Sequence, residues 1–452
     1  MLGKTRFHIE LPSSERPFML ELITKTRHLS KALSAVQRLT SERGESNAVS
    51  MADDVIEHYR KLSKDQHIKF FTALIEKLSP NPADVMAASQ AFAAEANARN
   101  YIRLQKVSES PRQEFMRRLN RGRNGTAAVV EMRRDLLQLL DKKPELAAVD
   151  FDMRHLLSSW FNPGFLKMHR VDWKSPAEVL EKLIQHEAVH AIDGWDDLRR
   201  RLQPDRRCFA FFHPQLPNEP LIFVEVALLP EVPLAIAPLV DKKAETVTQA
   251  QQYKVAVFYS ISNCEPGLRG VSMGNFLIKR VAEQLHEEFP SLKTFITLSP
   301  IPGLMEWIAA GAHLGDGVPL DRLKPALKTK RDQALATLGL DKRSWAERLS
   351  SGWHPDDAPE KEKEALLCLT AIYLGLASTG REGNPVAKFH LGNGAKLHLI
   401  NWAGDLSRKG LRQSAGIMVN YLYDLSSVEE NHERFVNGEI MYSRAVGKLM
   451  SV

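Results

Sequence analysis

Cysteine is scarce in this chain: three residues among 452, Cys208, Cys264 and Cys368, scattered without metal or redox spacing. That excludes a disulfide framework and a cysteine-rich zinc module, and points to free thiols in a reducing compartment. Long hydrophobic runs are missing too. No stretch approaches the roughly 18 apolar residues that a membrane-spanning helix needs, so no membrane segment is expected. Aromatics make up 8% of the chain, and none interleave the basic runs Arg117-Arg118, Arg121-Gly-Arg123, Arg199-Arg-Arg201 and Arg206-Arg207. With acidic residues close by, these runs read as solvated faces or subunit contacts, and nucleic-acid binding is not expected. The start, Met1 to Glu10, has no apolar core of a secretion signal, and the end, Lys448-Leu-Met-Ser-Val452, is no peroxisomal tripeptide. A cytoplasmic protein is expected. No internal repeat is evident.

Hydrophobic content of 44% and charged content of 26% are those of a soluble globular protein. A chain of 452 residues is too long for one ordinary core, so two domains are expected. The formal net charge of +6 suits an anionic ligand.

Residues 1–160 read as helices throughout, a helical bundle suited to oligomer contacts. Pro80-Asn-Pro-Ala-Asp84 breaks the pattern, and one long alanine-rich helix is expected from there to roughly Gln105. Ser110-Pro111 opens the next, with proline at the first helical position. Nothing in this region has catalytic spacing. Residues 161–452 form the second expected domain, and from about Cys208 the period becomes strand-like. Arg207 to Phe212 and Leu221 to Leu229 are rich in aromatic and β-branched residues and read as an antiparallel pair. A polar helical insertion is expected over about 316–378, with Asp356 to Glu364 its most solvent-like piece. Asn393-Gly394 reads as a tight turn into the strand Lys396 to Trp402.

The most informative stretch is a strand, a glycine-punctuated turn and a helix over 253–289, followed by Thr294-Phe-Ile-Thr-Leu298 and Ser299-Pro-Ile-Pro-Gly303. A turn feeding a helix leaves backbone N–H groups unpaired, a setting that favours phosphate. Arg269, Gly270, Val271, Ser272, Met273, Gly274 and Asn275 are the candidate ligand-binding residues. The hydroxyls of Ser260, Ser262 and Ser299 fall at the carboxyl ends of the flanking strands, where open α/β sheets bind ligands. Cys264 lies beside the turn, where its oxidation would interfere with binding.

His186-Glu-Ala-Val-His190 matches the zinc-protease helix motif, two imidazoles one turn apart around a carboxylate. Against it, Ser175-Pro-Ala-Glu178 starts its helix early, so the motif falls near a helix end, and no third ligand follows. A helix surface between domains is the plainer reading. Ser299 before Pro300 is ordinary turn chemistry by itself, and His390 alone reads as a strand histidine.

Several blocks in one order resemble the malonyl-CoA decarboxylase family. They are Phe258-Tyr-Ser-Ile-Ser, Gly267-Leu-Arg-Gly-Val, Phe276-Leu-Ile-Lys-Arg, Leu298-Ser-Pro-Ile-Pro-Gly, Phe389-His-Leu-Gly-Asn-Gly-Ala395, Ile400-Asn-Trp402 and Met418-Val-Asn-Tyr-Leu-Tyr423. The matches lie between about residues 205 and 425; the first third agrees only in being helical. The missing organellar signals fit a bacterial member. The resemblance implies an acetyltransferase-like mixed-sheet catalytic domain that binds coenzyme A, a homotetramer, and Ser299 and His390 as the catalytic pair. It places Ser260 and Tyr423 around the thioester and the histidine. The turn departs from the acetyltransferase pattern at both ends, with Gly267 first and Ser272 last. Ser272 also replaces a glutamate that family members carry, so no role of that carboxylate carries over.

The implied reaction converts malonyl-CoA to acetyl-CoA and carbon dioxide. It must stabilise a thioester enolate and deliver one proton to carbon. A preorganised donor at such an oxygen is worth about 3–4 kcal/mol, and the hydroxyls of Ser260 and Ser299 are suitable types. An imidazole can supply the proton near neutral pH. Two proton orders stay open: His390 as acid from the outset, or first as base toward Ser299. The thioester is its own electron sink, so no metal, biotin, thiamine or pyridoxal is expected. The rivals are a coenzyme A-dependent acyltransferase, a zinc hydrolase on His186 and His190, and a helical scaffold without catalysis.

Overall fold

The computed structural model describes residues 16–41, 47–241, 247–271, 277–314, 325–339, 344–377 and 383–451. The chain divides into two compact units. The first holds residues 1–166, 213–217 and 265–273, and the second holds the remainder.

The first unit is helical, as the sequence leads one to expect. Its helices include Ala48–Tyr59, Lys64–Lys77, Pro111–Leu119, Gly125–Leu137 and Ala147–Trp160. Phe70, Phe71, Phe115, Met132, Leu136 and Leu157 are fully buried between them. Starts are set by local chemistry. Ser63 and Gln66 form a reciprocal capping box, and the Ser110 hydroxyl accepts the Arg112 N–H ahead of Pro111. The expected single helix from Pro82 to about Gln105 is instead two, Pro82–Ala94 and Ala98–Ser108. Asparagine chemistry causes the break. The Asn97 side chain caps the second helix through the Asn100 N–H, and the Asn100 amide adds a second hydrogen bond to the Ala91 and Glu95 carbonyls at the end of the first.

The second unit is built on a mixed sheet of eight strands: β1 (Lys167–Val171), β2 (Arg206–His213), β3 (Leu216–Leu229), β4 (Val255–Asn263), β5 (Thr294–Thr297), β6 (Ser299–Pro300), β7 (Lys396–Asn401) and β8 (Met418–Tyr423). Their order is β1-β2-β3-β4-β5-β8-β6, with β7 also paired to β8. β4 and β5 run parallel. The pairs β1–β2, β3–β4, β5–β8, β6–β8 and β7–β8 are antiparallel. Every residue of β2 is buried, which explains why that run lacks alternation.

Three sequence expectations change here. The basic runs Arg199-Arg-Arg201 and Arg206-Arg207 are, apart from the exposed Arg199, not solvated faces. Arg200, Arg201, Arg206 and Arg207 are buried, because each finds an acid. Arg201 bridges Asp197 at 3.1 Å and Glu225 at 2.8 Å. Arg200 and Arg206 share Asp205, both at 2.9 Å, and Arg207 pairs with Glu288 at 2.6 Å. The supposed polar insertion is also partly core. In the helix Glu360–Gly375 the charge run covers only the first turns, and Leu366, Leu369, Ala371, Ile372 and Leu374 are buried. Finally, His390 is not on a strand. It lies in the helix Pro385–Gly392, started by Pro385 and by the Asn384 side chain, which accepts the Ala387 N–H.

Candidate active site

The site follows from where two strands part. β4 and β5 are in register from Val255↔Thr294 to Phe258↔Thr297, and the last bond between them is the Leu298 N–H to the Phe258 carbonyl at 3.0 Å. Beyond that, β4 continues beside β3 as far as Ile222↔Asn263, while Ser299 turns away to pair with Val419 of β8. The register of β3 on β4 slips between Glu225 and Val226 and leaves Tyr259 without a partner, a bulge that bends β4 just before Ser260. A cleft of about 350 Å³ opens in the gap. Phe258, Ser260, Leu298, Ser299, Val189 and His390 are among its lining residues.

His390 sits between two hydroxyls. Its Nε2 is 3.2 Å from Ser299 Oγ, its Nδ1 is 2.9 Å from the Tyr423 hydroxyl, and its ring stacks on Tyr421 at 4.7 Å. The tautomer follows from counting hydrogens. Ser299 donates its single hydrogen to Thr297 Oγ1 at 2.9 Å, so the Ser299 oxygen accepts from His390 and the ring proton is on Nε2. Nδ1 is then the acceptor for the buried Tyr423 O–H. Thr297 is itself fixed, its Oγ1 taking the Tyr421 N–H and its carbonyl taking the Asn420 amide at 2.6 Å. Burial pushes the His390 pKa down to about 3, so the ring is neutral at pH 7. The same burial holds the Tyr423 phenol well above its ordinary range.

Ser260 lines the same cleft but is bonded differently from expectation. Its hydroxyl donates to the Glu187 carboxylate, 2.7 Å from each oxygen. It is therefore not a free donor for a thioester oxygen. Glu187 is the central acid of the His186–His190 motif. The helix Ala177–His186 ends before it, so the two histidines do not lie one turn apart on a helix and the zinc-protease geometry is lost. Spacing had no means of finding Glu187, Thr297 or Asn420 as neighbours of the site.

The candidate phosphate turn belongs to the first unit. Pro266–Leu268 is a single 3₁₀ turn, Arg269 and Gly270 are exposed and Val271 is buried. Ser272, Met273, Gly274 and Asn275 lie outside the described residues. Arg133 holds the turn, donating to the Gly267 carbonyl at 2.7 Å and the Arg269 carbonyl at 2.8 Å while paired to Asp150. A Cβ on residue 267 would overlap the Val130 carbonyl, and Gly270 has φ +75, so both glycines are required by the backbone. All three cysteines are buried and none is in a disulfide. Among the described residues no helix is long and apolar enough to cross a membrane.

A helical region is thus followed by a mixed sheet whose parallel pair β4–β5 splays beside a histidine and serines, which makes this an α-plus-mixed-sheet protein with a polar cleft at the end of two strands. Two family descriptions match: the malonyl-CoA decarboxylase N-terminal domain over residues 78–161 and the C-terminal domain over 164–452. The chain belongs to the malonyl-CoA decarboxylase family. It is 44% identical to the crystal structure of malonyl-CoA decarboxylase from Rhodopseudomonas palustris, with a TM-score of 0.80 over 93% of this chain and 99% of that one. For the enzyme from Agrobacterium vitis the identity is 40% and the TM-score 0.77, over 93% and 100%. The mitochondrial malonyl-CoA decarboxylase of Anser anser anser is 38% identical over 327 residues, which is 70% of this chain and 65% of that protein.

Proposed function

We propose that this protein decarboxylates malonyl-CoA to acetyl-CoA and carbon dioxide, with His390 delivering the proton to carbon. The observation that carries the reading is the buried His390, neutral and protonated at Nε2, facing a cleft beside Ser299. The C–C bond breaks with its electron pair passing into the thioester, which becomes an enolate as carbon dioxide leaves. One proton then restores the thioester as acetyl-CoA. An enolate carbon is a far stronger base than imidazole, so a neutral ring is acid enough, as neutral histidines are elsewhere at developing enolates. Tyr423 O–H, bonded to Nδ1 behind the ring, keeps its proton and stabilises the charge left on the ring as Nε2–H is given up. Water entering the cleft then returns the proton to Nε2. Of the two proton orders left open by the sequence, the hydrogen-bond directions favour His390 as acid from the outset. Ser299 is the oxygen that holds Nε2–H toward the cleft until substrate takes its place.

Purified protein incubated with malonyl-CoA tests the reading, with acetyl-CoA followed by mass and carbon dioxide by release. Equimolar products, unchanged by EDTA, are expected. Free coenzyme A appearing only with an added acceptor would instead make the protein an acyltransferase, and loss of turnover on chelation would bring back a metal.

The depressed His390 pKa also predicts a pH profile. A folded-state pKa near 3 rather than 6.5 means the ring becomes cationic, and loses Nδ1 as acceptor for Tyr423, only well below pH 5. The kcat/KM profile, which reports the free enzyme, should therefore be flat from pH 7.5 to 5. An acid limb near pH 6.5 would show that the ring titrates as an ordinary solvated histidine.

A further inference from the structure

Glu187 has no part in the chemistry above, yet it is buried and both of its oxygens accept hydrogen bonds. Its Oε1 accepts the backbone N–H groups of Val189 at 2.9 Å and His190 at 2.8 Å. Both oxygens take the Ser260 hydroxyl, and Oε2 also takes the Ser262 hydroxyl at 3.1 Å. The Ala188 N–H in turn donates to Ser262 Oγ at 3.2 Å. Lys409 donates to the Ala188 and Val189 carbonyls and Arg201 to that of His190, so the segment 188–190 is held by its carbonyls as well. Val189 and Ser260 both line the cleft.

A serine hydroxyl has one hydrogen, and that of Ser260 is committed to the carboxylate. What Ser260 can offer the cleft is a lone pair. We propose that Glu187 is a positioning residue for the reaction: it sets Ser260 as a hydrogen-bond acceptor toward the bound substrate and fixes the Val189 wall beside it. The matching ligand group is an N–H donor, of the kind supplied by the secondary amides in the pantetheine arm of a coenzyme A ester. The inference rests on the coenzyme A thioester reading above.

The test is a double-mutant cycle of wild type, E187Q, S260A and the pair. Glutamine keeps the size of the side chain but can donate its amide N–H to Ser260, which frees the serine hydrogen to point into the cleft and reverses its polarity. E187Q is expected to lower kcat/KM by about tenfold or more, and the double variant should fall within about threefold of S260A alone, because Glu187 acts through Ser260. A loss under about twofold in E187Q, or losses that multiply in the pair, would overturn the proposal; a merely structural carboxylate would give such independent losses. Should E187Q not fold, Glu187→Asp takes its place in the same cycle, since it keeps the charge and moves the oxygens away from Ser260. The cycle is also read in the Kd for acetyl-CoA by calorimetry, where the same non-additivity is expected. A wild type that does not turn over malonyl-CoA would defeat the decarboxylase reading while leaving that binding cycle to decide the role of Glu187.

Discussion

Replacing His390 with alanine should reduce kcat by about a hundredfold to ten-thousandfold, the usual worth of a positioned general acid, while the Kd for acetyl-CoA changes by less than about threefold. The asymmetry is the point of the measurement. His390 lines the cleft with Nε2 on Ser299, and its other contacts are protein side chains, Tyr423 on Nδ1 and Tyr421 against its face. An interaction made only in the transition state lowers kcat and kcat/KM equally and leaves ground-state binding alone. Steady-state kinetics with malonyl-CoA and calorimetry with acetyl-CoA supply the two numbers. Equal loss of turnover and affinity would make His390 a binding residue and remove the proton donor from the mechanism.

Arg201→Met should destabilise the fold by about 3–5 kcal/mol, the range for breaking a buried ion pair from one side. The guanidinium is almost fully buried between Asp197 and Glu225 and also donates to the His190 carbonyl. Methionine fills most of its volume but leaves two carboxylates facing each other out of water. Burial already pushes the Glu225 carboxyl up to about 7 with the arginine present. Urea unfolding of the variant beside wild type reads the change, and a loss below about 1 kcal/mol would mean that water reaches these acids. Because Arg201 also holds the segment that carries Glu187, its loss should reach the cleft as well as the fold.

These two residues mark what the sequence does and does not disclose. The strand and the helix that flank the turn after Ser260 were legible because each is local: apolar runs bounded by glycine and proline, with a hydroxyl at the strand end. The pairing of His390 with Ser299 was not legible by spacing, since 91 positions separate them. It came only through the resemblance of Phe389-His-Leu and Ser299-Pro-Ile-Pro-Gly to a family. By itself His390 reads as a strand residue, because it sits just before the tight-turn dipeptide Asn393-Gly394. Asn384-Pro385, a cap and a first helical residue, carried the contrary signal. The arginine runs misled for a related reason. A basic run looks solvated until its acids are known, and Arg207 meets Glu288 from 81 positions away. Glu187 was visible only inside a zinc-like pattern, and the end of the helix at His186 dissolved that pattern while the carboxylate remained at the site.

Arg133 bears on how separable the two halves of this chain are. The turn over 265–271 follows β4 and precedes the helix Leu277–Glu288 in sequence, yet packs with the first unit, where a guanidinium from a helix more than a hundred positions upstream covers its Gly267 and Arg269 carbonyls. A break in the chain near residue 166 would look like a clean boundary on a linear map. A fragment made that way would take the turn along and leave Arg133 and Val130 behind, with the Gly267 and Arg269 carbonyls stripped of their donor. The helical region therefore closes on a segment that lies far along the chain, and a cut near residue 166 parts the two.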